Sequence, residues 1–306
     1  MATELVWECN TQVDCQCGVI RHIDLFKPTY SLSLKRQLGS RPLRNQWMRV
    51  LERFTAQNIT YPEDRLPALS GLAQQAQDAG LGRYAAGLWL QDLGHLLCWV
   101  VDNKRAATRY QTYLGPTWSW VSILGKIGFA NRMDFLKQNN ALVSIDDLSI
   151  KTGTDPTGKV LAAHLLISGW SIDAALHVTI AASGIQDYTL KTDLGDLYDK
   201  FVPDTPFDNL RHPWTKLRVK LVSLIVFRHY TPQTPSMVFM VIGPARDRIV
   251  PDESIDRSDA FERLGMIQVK WDEVDLRDTE DFDSRFPRTS FKWYKQATRL
   301  EKLMLV

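Results

Sequence analysis

Four side chains able to hold a soft metal ion fall within fourteen residues: Cys9, Cys15, Cys17 and His22. Thiolate and imidazole ligands suit tetrahedral zinc. The spacing is C-x5-C-x-C-x4-H, and its C-x-C step forces two ligands onto a short bite, unlike common zinc patterns. Zinc is the only cofactor the sequence suggests. The plainer reading is that these cysteines are small buried apolar residues. A second segment, Gly153-Thr154-Asp155-Pro156-Thr157-Gly158-Lys159-Val160, comes close to a phosphate-binding P-loop. That chemistry needs curled backbone N–H groups, a Lys and a magnesium-binding hydroxyl. Val160 replaces the hydroxyl residue and Pro156 removes an N–H, so the segment reads as a turn between strands. No G-x-S-x-G nucleophile elbow occurs, and the six histidines are scattered. Ser70 reads as a packed helix residue, and His95 and Cys98 as core. Asp64-Arg65 reads as a buried ion pair that fixes a helix. No catalytic residue is assigned, and the balance leans away from an enzyme.

The elements that must position these side chains follow from hydrophobic periodicity. Thr3–Cys9 alternates like a strand, and residues 10–41 look irregular. After Pro42, Trp47, Val50, Leu51 and Phe54 recur at helical spacing. Tyr61-Pro62-Glu63-Asp64 opens a second predicted helix that runs to Gly80. A third is predicted over Ala86–Val101, apolar on more than one face. From Pro116 onward the chain is punctuated by Pro, Gly and Asp. Strands are predicted over Ala141–Ile150, Val160–Trp170, Leu176–Ala182, Val219–Phe227, Met237–Ile242 and Met266–Val269. Helices followed by strands argue for an α+β fold. Residues 1–115 form a mainly helical part with an initial strand. Residues 116–306 form an antiparallel β-rich part continuous with it, and the helical part packs on the β-rich part. The acidic stretch Asp272–Asp283 reads as a solvated loop.

Charge argues against some partners. With 37 basic and 35 acidic residues, the net charge of +2 gives no electrostatic case for nucleic acid. Apolar runs such as Leu221–Phe227 are far shorter than the roughly 20 residues of a membrane span. Four cysteines are too few for a disulfide scaffold in 306 residues, so a reducing, cytoplasmic location is expected. Ten tryptophans are the unusual count. Core packing is their first use, and a platform for a flat ligand the second.

Five segments, taken in order, resemble the C-terminal region of fungal heterokaryon incompatibility (HET) type proteins. The first is Leu5-Val6-Trp7-Glu8-Cys9 with Cys15-Gln16-Cys17-Gly18. The second runs from Trp47 through Asp64-Arg65-Leu66-Pro67-Ala68-Leu69-Ser70-Gly71. The third is Tyr84-Ala85-Ala86-Gly87-Leu88-Trp89 with Leu96-Leu97-Cys98-Trp99. The fourth is Pro116-Thr117-Trp118-Ser119-Trp120-Val121-Ser122, and the fifth is Phe261-Glu262-Arg263-Leu264-Gly265. The family's HET domain carries Y-x-A-L-S-Y-x-W-G and W-I-D-x-[IL]-C-I-N-Q segments, and neither occurs here. The resemblance therefore implies a truncated product, a separately encoded partner or a relict. It implies a regulatory or recognition module for allorecognition or programmed cell death that acts through another protein. A stand-alone enzyme or small-molecule binder with an aromatic-lined pocket is the alternative. The residues it singles out as structural are Trp7, Trp47, Asp64, Arg65, Trp89, Pro116, Trp118, Ser119, Trp120 and Gly265. Trp118 and Trp120 are expected on one side of an extended segment, with Trp89 meeting them. Gly265 is expected at a bulge or tight bend.

Overall fold

The computed structural model describes residues 6–8, 13–15, 26–35, 40–130, 136–192, 195–197, 201–207, 214–229, 236–246, 259–270 and 299–306. Cys9, Cys17, His22 and the acidic stretch 272–283 lie outside these residues. Two short strands, β1 (Val6–Glu8, holding Trp7) and β2 (Val13–Cys15, ending at Cys15), pair antiparallel.

Two helices follow, α1 (Phe26–Lys35) and α2 (Ser40–Thr55). The irregular reading of residues 10–41 missed α1. Its Pro28 sits in the first turn, where a helix needs no N–H. The helix predicted after Pro42 is α2, and its Trp47, Val50 and Leu51 face the core. The second predicted helix is broken. It comprises 3-10 turns at Pro62–Asp64 and Pro67–Leu69, α3 (Ser70–Ala76) and a wider turn, Gln77–Leu81. The two prolines interrupt the ladder, and Gly80, at φ 89°, ends it as predicted.

The third predicted helix is the largest correction. The segment is instead a tight hairpin of β3 (Tyr84–Ala85) and β4 (Leu88–Trp89), then α4 (Leu93–Leu96) and β5 (Trp99–Val101). Ala86 and Gly87 both take positive φ, 48° and 90°. A two-residue hairpin turn requires that backbone. Apolar residues at helical spacing are present, but the left-handed pair turns the chain back before a helix can start.

The connecting region adds β6 (Thr108–Arg109), β7 (Ile123–Leu124) and β8 (Ile127–Phe129). Here β6 pairs with β7, and β5 pairs with β8. The main sheet is built from β9 (Leu136–Ala141), β10 (Val143–Thr152), β11 (Val160–Ile180), β12 (Gln186–Thr192), β13 (Gly195–Leu197), β14 (Val202–Pro203), β15 (Trp214–His229), β16 (Ser236–Pro244), β17 (Ala260–Lys270) and β18 (Arg299–Leu305). The fold is thus mixed helix and strand. Its sheet is antiparallel except for a two-residue parallel contact between β17 and β18. Two predicted strands, Val160–Trp170 and Leu176–Ala182, are one strand, β11. It pairs with β10, β12, β15 and β18. The run β11, β18, β17, β16, β15 and back to β11 closes a ring of paired strands.

Side chains alternate across this sheet, and both faces are covered. On β16, Val238, Met240 and Ile242 join one buried cluster, and Met237, Phe239 and Val241 join another. The first cluster also holds Trp47, Trp89 and Trp118, so helical-region and sheet residues share it. Among the described residues no helix is long and apolar enough to cross a membrane.

Candidate functional site

Four of the five segments set out above, all but the first, meet at two junctions. The first is the hairpin turn Ala86-Gly87. Trp47 Nε1 donates to the Gly87 carbonyl at 3.0 Å, and Trp120 Nε1 donates to the same oxygen at 3.3 Å. The Ser119 hydroxyl donates to the Ala86 carbonyl at 2.5 Å and accepts from Val121 N–H, which caps the 3-10 turn Trp120–Ser122. Three side chains from two segments thus satisfy both carbonyls of one turn. Gly87 is required twice over. Its φ is left-handed, and a Cβ there would stand 2.5 Å from Trp120 Nε1.

Ring contacts extend this junction. Trp47 meets Trp89 edge to face at 5.2 Å, and Tyr84 meets Trp89 at 5.1 Å. Phe54 meets Trp120 at 5.7 Å, and the Arg65 guanidinium lies 5.1 Å from the Trp120 ring. The described ring contacts of Trp89 are therefore with α2 and its own hairpin. The segment at Trp118 and Trp120 is also not extended. Ser119 N–H bonds Pro116 O, and Ser122 N–H bonds Ser119 O, so it is a pair of tight turns around buried Pro116. Both indoles are fully buried nonetheless. The expected Asp64–Arg65 pair does not form. Asp64 is exposed, and Arg65 is buried against Trp120.

The second junction is charged. Arg263, on β17, is 0% exposed. Its Nε donates to Asp204 at 2.8 Å, its Nη1 donates to Leu97 O at 2.6 Å, and its Nη2 donates to Trp99 O. Its guanidinium carbon lies 3.5 Å above the Trp99 ring, and Trp99 Nε1 donates to Trp118 O at 2.9 Å. Gly265 makes this arrangement possible. A Cβ there would come within 2.3 Å of Val202 O, so only glycine lets β14 lie against β17. That approach brings Asp204 to Arg263. The register between β16 and β17 slips by one residue at Leu264, so the bulge beside Gly265 is present as expected. Thr117 ties in the final strand. Its N–H donates to Val306 O at 2.9 Å, its hydroxyl donates to the same oxygen, and it accepts from Arg263 N–H. Burial pushes the Asp204 carboxyl up while Arg263 pulls it back down. Burial pulls the Arg263 guanidinium below its usual range, and Asp204 opposes that.

A shallow, half-open cleft with an enclosed volume of only about 20 Å³ lies beside this junction. Arg109, Tyr110, Tyr113, Thr117 and Ser122 are among its lining residues. Arg109 Nη2 reaches Arg263 O at 3.4 Å, but its Nε and Nη1 are withdrawn from solvent with no hydrogen-bond partner. Burial lowers the Arg109 pKa against the pull of Asp204 and Glu262. Burial also raises the Tyr110 and Tyr113 phenols.

Other candidates fall into place. The P-loop-like segment is the β10–β11 hairpin turn. Its backbone is spent on Gly153 N–H to Lys159 O and Gly158 N–H to Asp155 O. The Asp155 carboxylate accepts from Thr157 N–H and hydroxyl, at 2.9 and 2.8 Å, and these bonds together with the Ser70 hydroxyl hold its pKa low. Cys98 is buried, and burial pushes its thiol up. No cluster of three metal-ligating side chains occurs among the described residues, of which Cys15 is the only member of the proposed zinc set. The sequence reading missed Arg263, Asp204, Arg109 and the buried Arg44–Asp92 pair at 2.8 Å. Arg263 sat inside the fifth segment, where only Gly265 was given a structural role. Asp204, between Pro203 and Pro206, has the signature of a surface turn. Comparison with family models, curated proteins and solved structures gave no match.

Proposed function

We propose that this chain is a non-enzymatic regulatory or recognition module of the kind found in the C-terminal region of HET-type proteins, acting through a protein partner in allorecognition or programmed cell death. In this reading residues 1–115 are a helical part clamped onto the β-rich part 116–306. One observation carries it. Segments around Trp47, Ala86-Gly87 and Ser119-Trp120, all among those that carry the resemblance, converge on one turn and satisfy its carbonyls. Residues with that role are architectural, and a shared architecture is what an ordered set of matching segments should encode. The test is co-expression of the chain with a HET domain supplied as a separate polypeptide in a fungal host, scored by dye uptake of dying cells. The reading expects the chain to change the dying fraction at matched HET-domain levels. An unchanged fraction, with the chain soluble and abundant, contradicts it.

A second reading, a small-molecule binder, is favoured by the cleft at Arg109. Its wall carries two tyrosines beside a guanidinium with spare donors.

A further inference from the structure

Three arginines and two carboxylates share the neighbourhood of the charged junction. Arg263 holds Asp204, and Arg246 holds Glu262 through two bonds at 2.5 and 3.0 Å. Asp204 and Glu262 are therefore each taken. Arg109 feels both carboxylates and both other arginines, yet the only hydrogen bond of its side chain among the described residues is the long one to Arg263 O. It is the surplus cation of the cluster. Structures compensate buried charges by pairing or hydrogen bonding. A guanidinium presents its donors as a planar fork that matches a carboxylate or phosphate.

The position of Arg109 makes that surplus usable. Short pairing of β6 with β7 fixes its backbone, and the residue lines the open cleft. Tyr110 and Tyr113 flank it, and Gln111 and Thr112 are exposed on the solvent side. Arg65 lies within electrostatic reach of Tyr110, and its Nε and Nη2 are also buried without partners. Two under-used guanidinium groups thus bias one small region toward negative charge.

We propose that Arg109 anchors a binding site for a small free oxyanion, a molecule bearing a carboxylate or phosphate group that enters by the cleft beside Tyr110 and Tyr113. To meet the anion the guanidinium turns toward the cleft and gives up the long bond from Nη2 to Arg263 O; Nη2 with Nε or Nη1 beside it is then the fork that takes two of the anion's oxygens. The tyrosine rings bound whatever body carries the anionic group, which sets its size. This site deepens the small-molecule reading and does not require the partner reading, because it uses neither the hairpin-turn junction nor a second protein.

The test titrates the full chain with inorganic phosphate and, separately, acetate, at constant ionic strength set by chloride. Thermal unfolding and the arginine Nε–H signals in nuclear magnetic resonance are read together. A saturable rise in Tm and a shift of one buried Nε–H signal are expected with at least one anion. In Arg109→Gln the affinity should fall about tenfold or more, while Asp173→Asn, at an exposed carboxylate on β11 paired with Lys220 and absent from the cleft lining, should bind as the parent does. If Arg109→Gln does not fold, Arg109→Lys and the parent's Nε–H response decide the matter: the lysine should bind more weakly and the parent signal must move. Equal binding by the parent and Arg109→Gln would mean an adventitious ion only, and overturns the proposal. So does an absence of any saturable response to both anions. None of these outcomes bears on the HET-domain co-expression result.

Discussion

The two junctions solve the same problem with opposite chemistry. At the hairpin turn, neutral donors from Trp47, Ser119 and Trp120 meet two backbone carbonyls inside a shell of rings. At β17, a fully buried cation is held by one carboxylate and two carbonyls. A lost neutral hydrogen bond costs on the order of 1 kcal/mol beyond the packing it brings. A buried charge stripped of its partner costs about 3–5 kcal/mol. The neutral junction should therefore degrade in small steps, whereas the charged one should fail all at once.

The largest effect should come from Asp204→Ala. It leaves Arg263 uncompensated and should lower unfolding stability by about 3–5 kcal/mol in denaturant melts. Replacing both partners, Asp204→Leu with Arg263→Met, should recover much of that loss, because packed apolar groups remove the charge altogether. If the double variant is as unstable as Asp204→Ala, the charge argument is wrong. Gly87→Ala should cost less, about 1–3 kcal/mol, from a left-handed alanine and a crowded indole. Ser119→Ala should cost about 1–2 kcal/mol by leaving the Ala86 carbonyl without its donor. A Ser119→Ala melt indistinguishable from the parent would remove the turn from the account.

The smallest effect concerns pH. Asp155 is held below the ordinary carboxylate range by the Thr157 N–H and by the Ser70 and Thr157 hydroxyls. Its contribution is therefore present above the unfolded value of about 3.9 and is lost as pH falls through the lower folded value. Asp155→Asn should flatten stability over that acid window and leave the melts at neutral pH nearly parallel to the parent's. An unaltered acid limb would show that these bonds do not hold the charged form.

Much of the sheet was legible in the sequence. Val219–Phe227 and Met237–Ile242 fall inside β15 and β16 because β-branched and large apolar runs mark strands buried on both faces. The break expected between Trp170 and Leu176 was false. Asp173 and Ser171 look like loop residues, but Asp173 binds Lys220 and Ser171 binds Glu301 across the strand pairing. The last strand, Arg299–Leu305, went unread because its apolar residues are interleaved with Arg299, Glu301 and Lys302. The Ala86–Val101 helix failed for a different reason. Leu88, Leu93, Leu96 and Leu97 are all buried as their spacing suggested, yet Ala86-Gly87 overrides helical periodicity by a backbone requirement that spacing does not report. At the junctions, the tryptophans were visible by type. The pairing of Arg263 with Asp204 was not, because it depends on two residues 59 positions apart meeting where Gly265 lets two strands close.

A double-mutant cycle between Trp47→Phe and Trp120→Phe reaches the centre of the account. Each change removes one indole N–H from the Gly87 carbonyl and keeps an aromatic ring in place. Because the two donors share one oxygen, the account predicts that their unfolding free energies do not add, with a coupling of about 0.5 kcal/mol or more. Strict additivity would mean that the indoles stabilise the molecule separately and that Ala86-Gly87 is not the point where these segments are joined.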